Sequence, residues 1–414
     1  MNQTFFYRCS LCNQEYQPDQ LQYTCPADGG NLDVILDYDN LRRTISPADI
    51  AECGEPSLWR YLPLLPVVDP GGAGTPLRAA GWTPVFSPPA LKADLGLKNL
   101  WIKDESRNPT ASFKDRASAV VVARARQVGA DVVVTASTGN AGAALAGMSA
   151  AVGQKAIIFA PRTAPPAKIA QLLVFNAQVL LVDGTYDDAF DLTILASQEF
   201  GWYCRNTGYN PITAEGKKTA ALEIWEQYHL SGNASSRPLS VFVSVGDGNI
   251  ISGIHKGFKD LVALGWLEQM PRIYGIQAEG SAAIANAFNA GNETIIPVSA
   301  STLADSISVD LPRDGVRAVR AAKETGGTYI LVSDEEILAG IASLGKAGIF
   351  AEPAGATSYA GLVRAVWQGL IGPDDPVVVV NTGSGLKDVR AAMQAVRAAP
   401  IIEPTLAAVK RVIK

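Results

Sequence analysis

The sequence predicts an α/β protein with two doubly wound domains on mainly parallel sheets, preceded by a small zinc-ribbon-like N-terminal segment. From residue 100 onward, short apolar runs alternate with helical stretches, the order required by parallel sheets covered on both faces. Three glycine-rich turns each follow one of those runs, where a doubly wound sheet builds its site. At 414 residues the chain also exceeds what one core serves at about 150 residues per domain.

Taken in order, residues 1–40 form the ribbon-like segment. C-S-L-C, with Cys9 and Cys12, is followed after twelve residues by Cys25 in C-P-A-D-G-G. A complete ribbon has a fourth cysteine where Asp28 stands. Zinc accepts a carboxylate oxygen, so Cys9, Cys12, Cys25 and Asp28 make up four ligands. The other reading is a ribbon that kept its hairpins and lost its metal. Residues 41–80 read as irregular and rich in proline and glycine, ending in DPGGAGTP.

NLWIK then reads as a strand, and SFKDRASAVVVARARQ as a helix with Ser112 at its N-cap. DVVVTAS is a strand, and AGAALAGMSAAV a helix of small residues. KAIIFAP, AQVLLVDG, GWYCRNT, LSVFVSV, RIYGIQAE, GTYILVS and PVVVVNT continue the strands, with helices between them. NASSRP at 233–238 reads as a linker or surface loop.

Composition excludes several classes. Hydrophobic residues at 48% against 18% charged give a globular balance. A net charge of −5 without a long basic run leaves no footprint for nucleic acid. No segment reaches the ~18 apolar residues of a membrane helix, and MNQTFFYRCS lacks the pattern of a signal peptide, so a cytoplasmic protein is expected. Five cysteines in so long a chain are no disulfide framework, and Cys53 and Cys204 read as structural thiols.

The turns are STGNAG at 137–142, VGDGNIISG at 245–253 and NTGSG at 381–385. Directly before a helix, the N–H groups of VGDGN and the helix dipole suit a phosphate. The turn lacks the Lys-Ser/Thr ending of a P-loop and does not match the dinucleotide fingerprint, which argues against ATP and NAD. In NPTASFKDR, residues 108–116, Lys114 stands between a phenylalanine and an acid where a helix begins. A phosphate cradle, a poised lysine and no nucleotide signature point to pyridoxal 5'-phosphate, which joins a lysine as a Schiff base.

NPTASFKDR, ASTGNAG, the glycine loop at 246–249, EPAGA at 352–356 and NTGSGLKD at 381–388 together resemble the threonine synthase family. The resemblance covers nearly the whole chain and implies the tryptophan-synthase-β fold, pyridoxal-phosphate fold type II, and a homodimer. It implies that Lys114 holds the cofactor and that Asn140 bonds its ring hydroxyl. Gly246, Asp247, Gly248 and Asn249 would cradle its phosphate, and Thr382 would face the pyridine nitrogen. Lys103, Thr138, Asn206 and Thr207 match members of the substrate pocket. It divides the chain into a large cofactor-binding domain, 41–115 with 210–414, and a small substrate-closing domain, 116–209. The implied reaction turns O-phosphohomoserine and water into threonine and phosphate. Alternatives on the same scaffold are a cysteate synthase and a serine/threonine dehydratase; a catalytically silent relative is a third.

Two departures bear on the substrate. In NTGYNPITAEGKKT, Thr213 stands where the family has arginine. The phosphate loop is one residue shorter than the family's and carries Asp247. Both cut against a phosphorylated substrate. Arg205, Lys217 and Lys218 are the cations close enough in sequence to compensate. His229 and His255, the only histidines, are expected on helix surfaces. The run DEE at 334–336 reads as the charged first turn of a helix.

Overall fold

The structure, a computed structural model, describes residues 5–229 and 237–413; most of the expected linker at 233–238 lies outside them. At the front, β1 (Phe5–Cys9), β2 (Glu15–Tyr16) and β3 (Leu32–Leu36) form an antiparallel sheet in the order β2-β1-β3. Strand alternation turns Phe5, Tyr7, Cys9, Leu32, Val34 and Leu36 inward. They join the apolar cluster that holds Val120 and Trp225, so the ribbon is packed into the body of the protein.

Residues 41–80 are more regular than expected. Helices Tyr38–Thr44 and Pro47–Ala51 are followed by 3-10 turns at Leu58–Leu64 and Pro76–Ala79. A capping box between Ser46 and Asp49 starts the second helix, with Pro47 in its first turn, where a missing N–H costs nothing. Elements this short carry too little periodicity to stand out among prolines.

Next come β4 (Val85–Phe86) and β5 (Leu100–Asp104), then β6 (Val132–Ala136), β7 (Lys155–Pro161), β8 (Gln178–Val182) and β9 (Tyr203–Cys204). The last four make a wholly parallel sheet in the order β8-β7-β6-β9. β10 (Ser240–Ser244), β11 (Arg272–Ala278), β12 (Tyr329–Val332) and β13 (Val377–Asn381) complete the larger sheet, ordered β12-β11-β10-β13-β5-β4. Only the short edge strand β4, invisible to the sequence reading, runs antiparallel there. SVFVS and VVVVN are buried at every residue, as strands covered on both faces must be.

Helices Lys114–Gln127, Ile212–His229 and Asn249–Ala263 pack together between the larger sheet and the ribbon. Gly253 permits the close approach of the last two, since a Cβ there would lie 2.6 Å from that of Lys217. Covered in this way, His255 is buried rather than on a helix surface, and burial drives its imidazole down to about 3. His229 ends its helix. Ser333 and Glu336 close a capping box, so the DEE run is a helix start as expected. Ser112 is not an N-cap: the helix begins at Lys114 without a side-chain cap, and the buried Ser112 hydroxyl has no partner among the described residues. The chain is still extended at Ser112, bridging to Gly383, so its hydroxyl does not reach the first turn. No described helix is long and apolar enough to cross a membrane.

Candidate active site

Neighbouring strands β10, β13 and β5 deliver their following loops to one edge of the larger sheet. The loop after β5 carries Lys114, and the loop after β13 carries Thr382. The N–H of Phe113 donates to Thr382 O at 2.9 Å, and that of Ser384 to Ala111 O at 3.1 Å, stitching the two loops together. Ala111 takes φ 63° to make that turn, a left-handed conformation uncommon for alanine. Asn381 Nδ2 also donates to Asp104 Oδ1 at 2.8 Å. Lys114 and the buried Thr382 are thereby set side by side.

The smaller sheet contributes the turn after β6. Asn140 opens the helix Asn140–Ala150, and its amide donates to both carboxylate oxygens of Glu352, at 2.8 and 3.0 Å. Glu352 in turn precedes the helix Pro353–Trp367, so the parts meet across this pair. A cavity of about 310 Å³ opens there, its walls including Thr138, Asn140, Lys168, Ser306, Glu352 and Lys387.

Charge at the site is tuned by burial. Lys114 is half-buried, and burial with the neighbouring Arg205 guanidinium pulls its amine down to about 8, against Glu352 and Asp247. About a tenth is then the free base at pH 7, some hundreds of times more than at the ordinary lysine value of about 10.4, which favours attack on an aldehyde. Burial raises the Glu352 carboxyl, which Asn140 opposes. Asp247 is pushed up to about 7, chiefly by burial, while the Arg313 N–H on its Oδ1 at 2.6 Å resists.

The loop at 246–249 has the form of an anion cradle. Gly248 sits at φ 90°, and a Cβ there would meet Asp314 O at 2.6 Å; one on Gly246 would meet Ile307 Cα at 2.7 Å. The helix Asn249–Ala263 follows with no side-chain cap, so its first N–H groups point into the loop without helical partners. The Asn249 side chain is spent within the protein: Oδ1 accepts from Lys217 Nζ at 2.6 Å and Thr213 Oγ1 at 3.2 Å, and Nδ2 donates to Asp314 Oδ2 at 2.6 Å. Its backbone N–H is what it has left for a phosphate.

Among the substrate candidates, Thr138 lines the cavity. Asn206 is used structurally, its Oδ1 accepting from Ala136 N at 2.8 Å and Thr135 Oγ1 at 3.0 Å. Thr207 Oγ1 accepts from Arg205 Nη1 at 2.7 Å and so orients that guanidinium. Lys103 is not brought to the cavity, and we drop it from the substrate set. Its three protons go to Thr83 O at 2.6 Å, Glu223 Oε2 at 2.6 Å and Gln227 Oε1 at 2.9 Å, in a buried network with Arg116 and Glu105. Cys9, Cys12, Cys25 and Asp28 do converge, their ligand atoms all within 4.8 Å of one another.

The three compensating cations separate cleanly. Lys218 points away, paired with Glu215 and Asp260. Lys217 lies one turn beyond Thr213 on the same helix face, and both bond Asn249 Oδ1. Burial, with Lys114 and Arg205 as neighbouring cations, drives its ammonium well below the lysine range. A phosphate dianion would supply the missing opposite charge. Arg205, fully buried and lowered by burial to about 10, leaves Nη2 without a partner among the described residues. A buried guanidinium with an unsatisfied donor beside the site calls for an anion. Its role, and that of Glu352, rests on contacts distant in sequence, which no local motif displays.

An uncapped helix end, two buried cations and a half-dry lysine beside a hydroxyl-bearing loop fit a phosphorylated aldehyde. The fold and site define a pyridoxal-phosphate enzyme of fold type II, and the cofactor is pyridoxal phosphate. Residues 77–383 match the family "Pyridoxal-phosphate dependent enzyme". The chain is 38% identical to threonine synthase of Methanocaldococcus jannaschii over 98% of its length and 99% of the relative's. It is 37% identical to threonine synthase of Methanosarcina acetivorans, over 99% and 98%. In fold it is similar to the processed form of threonine deaminase isoform 2 from Solanum lycopersicum (TM-score 0.66, 23% identity, 82% of this chain and 88% of that one). It is likewise similar to diaminopropionate ammonia lyase from Escherichia coli in complex with D-serine (TM-score 0.65, 18% identity, 95% and 97%). The chain belongs to the threonine synthase family of pyridoxal-phosphate dependent enzymes.

Proposed function

We propose that the protein is a carbon–oxygen lyase of the threonine synthase type, converting O-phosphohomoserine and water to threonine and phosphate. The observation that carries the substrate is the buried Arg205 guanidinium, with Nη2 unpartnered among the described residues, which answers the objection raised by Thr213. Lys217, bonded to Asn249, serves the cofactor-phosphate cradle. Arg205, bonded to Thr207 and with Nη2 unsatisfied, serves the phosphate of the substrate. The second objection weakens as well. A carboxyl raised by burial to about 7 carries less negative charge near neutral pH than an ordinary aspartate, so Asp247 repels a phosphate less.

When bound, pyridoxal phosphate supplies an electron sink for negative charge on the substrate carbons. The chain supplies the rest. Lys114 Nζ, displaced by the substrate's amine, is a base near neutral pH and moves protons at Cα and Cβ. Phosphate leaves from Cγ toward Arg205, a proton is delivered to Cγ to make the methyl group, and water adds at Cβ. Thr382 offers the pyridine nitrogen a hydroxyl, which cannot keep it protonated as a carboxylate would; that tempers the sink and suits elimination and replacement. Asn140, held by Glu352, is placed for the ring hydroxyl. Residues 41–115 and 210–414 hold the cofactor in this reading, 116–209 close over the substrate, and the working form is a cytoplasmic homodimer.

The test is a substrate panel read by phosphate, ammonia and ketoacid release: O-phosphohomoserine, O-phosphoserine with sulfite, threonine and serine. Phosphate release from O-phosphohomoserine should dominate. Arg205→Met should raise its KM roughly 10–100-fold, the loss of charge-assisted hydrogen bonds, while cofactor absorbance survives. Ammonia from threonine or serine without activity on O-phosphohomoserine would make the chain a dehydratase, and sulfite-dependent turnover of O-phosphoserine a cysteate synthase.

A further inference from the structure

We propose that Cys9, Cys12, Cys25 and Asp28 form a closed structural zinc site that fixes the ribbon onto the active-site loops. Tetrahedral zinc at about 2.3 Å from sulfur and about 2.0 Å from oxygen places two sulfurs about 3.8 Å apart, and a sulfur and an oxygen about 3.5 Å apart. Cys12 Sγ and Cys25 Sγ are 3.8 Å apart, and Cys9 Sγ lies 3.3 and 3.6 Å from the two Asp28 oxygens. Those two pairs have the spacing of a coordination shell, and all four ligand atoms lie within 4.8 Å of one another.

Polar groups of the ribbon itself surround these four side chains and fix their positions. Leu11 N–H points at Cys9 Sγ at 3.3 Å, and Tyr16 Oη lies 3.1 Å from Cys25 Sγ. Gly30 N–H donates to Asp28 Oδ1 at 2.8 Å, holding that carboxylate in place. With four protein ligands no coordination position stays open, which is the mark of a structural rather than catalytic zinc.

The ribbon's reach gives the metal a task. Asn31, three residues after Asp28, donates through Nδ2 to Gly208 O and to Arg313 O, the latter at 3.2 Å. Gly208 adjoins Thr207, the residue that orients Arg205. Arg313 gives its N–H to Asp247 in the phosphate cradle. Arg320 Nη1 bonds Ser10 O within the first knuckle, and Arg317 bonds Leu32 O at 3.1 Å and Asp33 Oδ1 at 2.8 Å. The ribbon therefore touches both the substrate-side loop and the cofactor loop, and zinc is what closes the ribbon's two turns on each other.

The test uses the full-length holoenzyme. Metal analysis should find about one zinc per chain, and Co2+ in its place should show thiolate-to-metal charge-transfer absorption. Asp28→Ala should weaken Zn2+ binding, and Cys12→Ser should lose the metal; should that variant not fold, the cobalt spectrum of the wild type decides. Chelation should lower both the melting temperature and the affinity for pyridoxal phosphate followed by absorbance. Protein that takes up neither zinc nor cobalt, or Asp28→Ala with unchanged metal affinity, would overturn the site. Metal removal that leaves cofactor affinity intact would overturn its coupling to the active site.

Discussion

Lys114 was legible because everything that marks it is contiguous: a proline, small residues and a phenylalanine before the amine, then a helix. What set its reactivity was not. Burial and the Arg205 guanidinium, ninety-one positions away, bring the amine to about 8. Below that value the amine is protonated and cannot attack, so attachment of pyridoxal phosphate to the apoprotein should speed up with pH and level off above about pH 8. A lysine at its ordinary value of about 10.4 would still be climbing at pH 10. Stopped-flow absorbance checks the profile, and mass spectrometry after borohydride reduction should find the pyridoxyl group on Lys114. A label on another lysine would refute the assignment. Lys103 shows the opposite case: its sequence context resembles a pocket residue, but only the fold reveals that Glu223 and Gln227 consume it.

The helix Asn249–Ala263 shows how an element makes a binding site. Its start is set by Gly248 at φ 90°, hard against Asp314, and its N-terminus has no cap. Gly248→Ala puts a methyl group where backbone already lies, so the loop must shift and the N–H groups lose their aim. Cofactor affinity should fall tenfold or more, about 1.4 kcal/mol, in an absorbance titration. Gly265 is the control: φ is 74° there but no atom lies within 4 Å of a Cβ, so Gly265→Ala should cost stability of about 1 kcal/mol and leave cofactor affinity alone. Equal losses in both variants would contradict a cradle. The glycine pattern was visible in sequence, as were the apolar strands, because each is local. The short helices before residue 80 were not, and neither was the burial of His255, since a helix covered by two neighbours hides its polar face without changing its periodicity.

At the scale of the whole molecule, two parallel sheets meet at Asn140 and Glu352, and a ribbon reaches behind the site to hold two of its loops. The sheets followed from strand order alone; their meeting rests on pairs far apart in sequence, among them Asn140 with Glu352 at 212 positions and Lys168 with Asp305 at 137, beyond what a pattern can display. The central claim is that this assembly removes phosphate from Cγ and adds water at Cβ of the same substrate. Turnover of O-phosphohomoserine in 18O-enriched water, with both products analysed by mass spectrometry, tests it most directly. The account predicts threonine carrying one heavy oxygen in its hydroxyl group and phosphate carrying none. Heavy oxygen in the phosphate with homoserine as its partner would show cleavage of the phosphorus–oxygen bond and contradict the account.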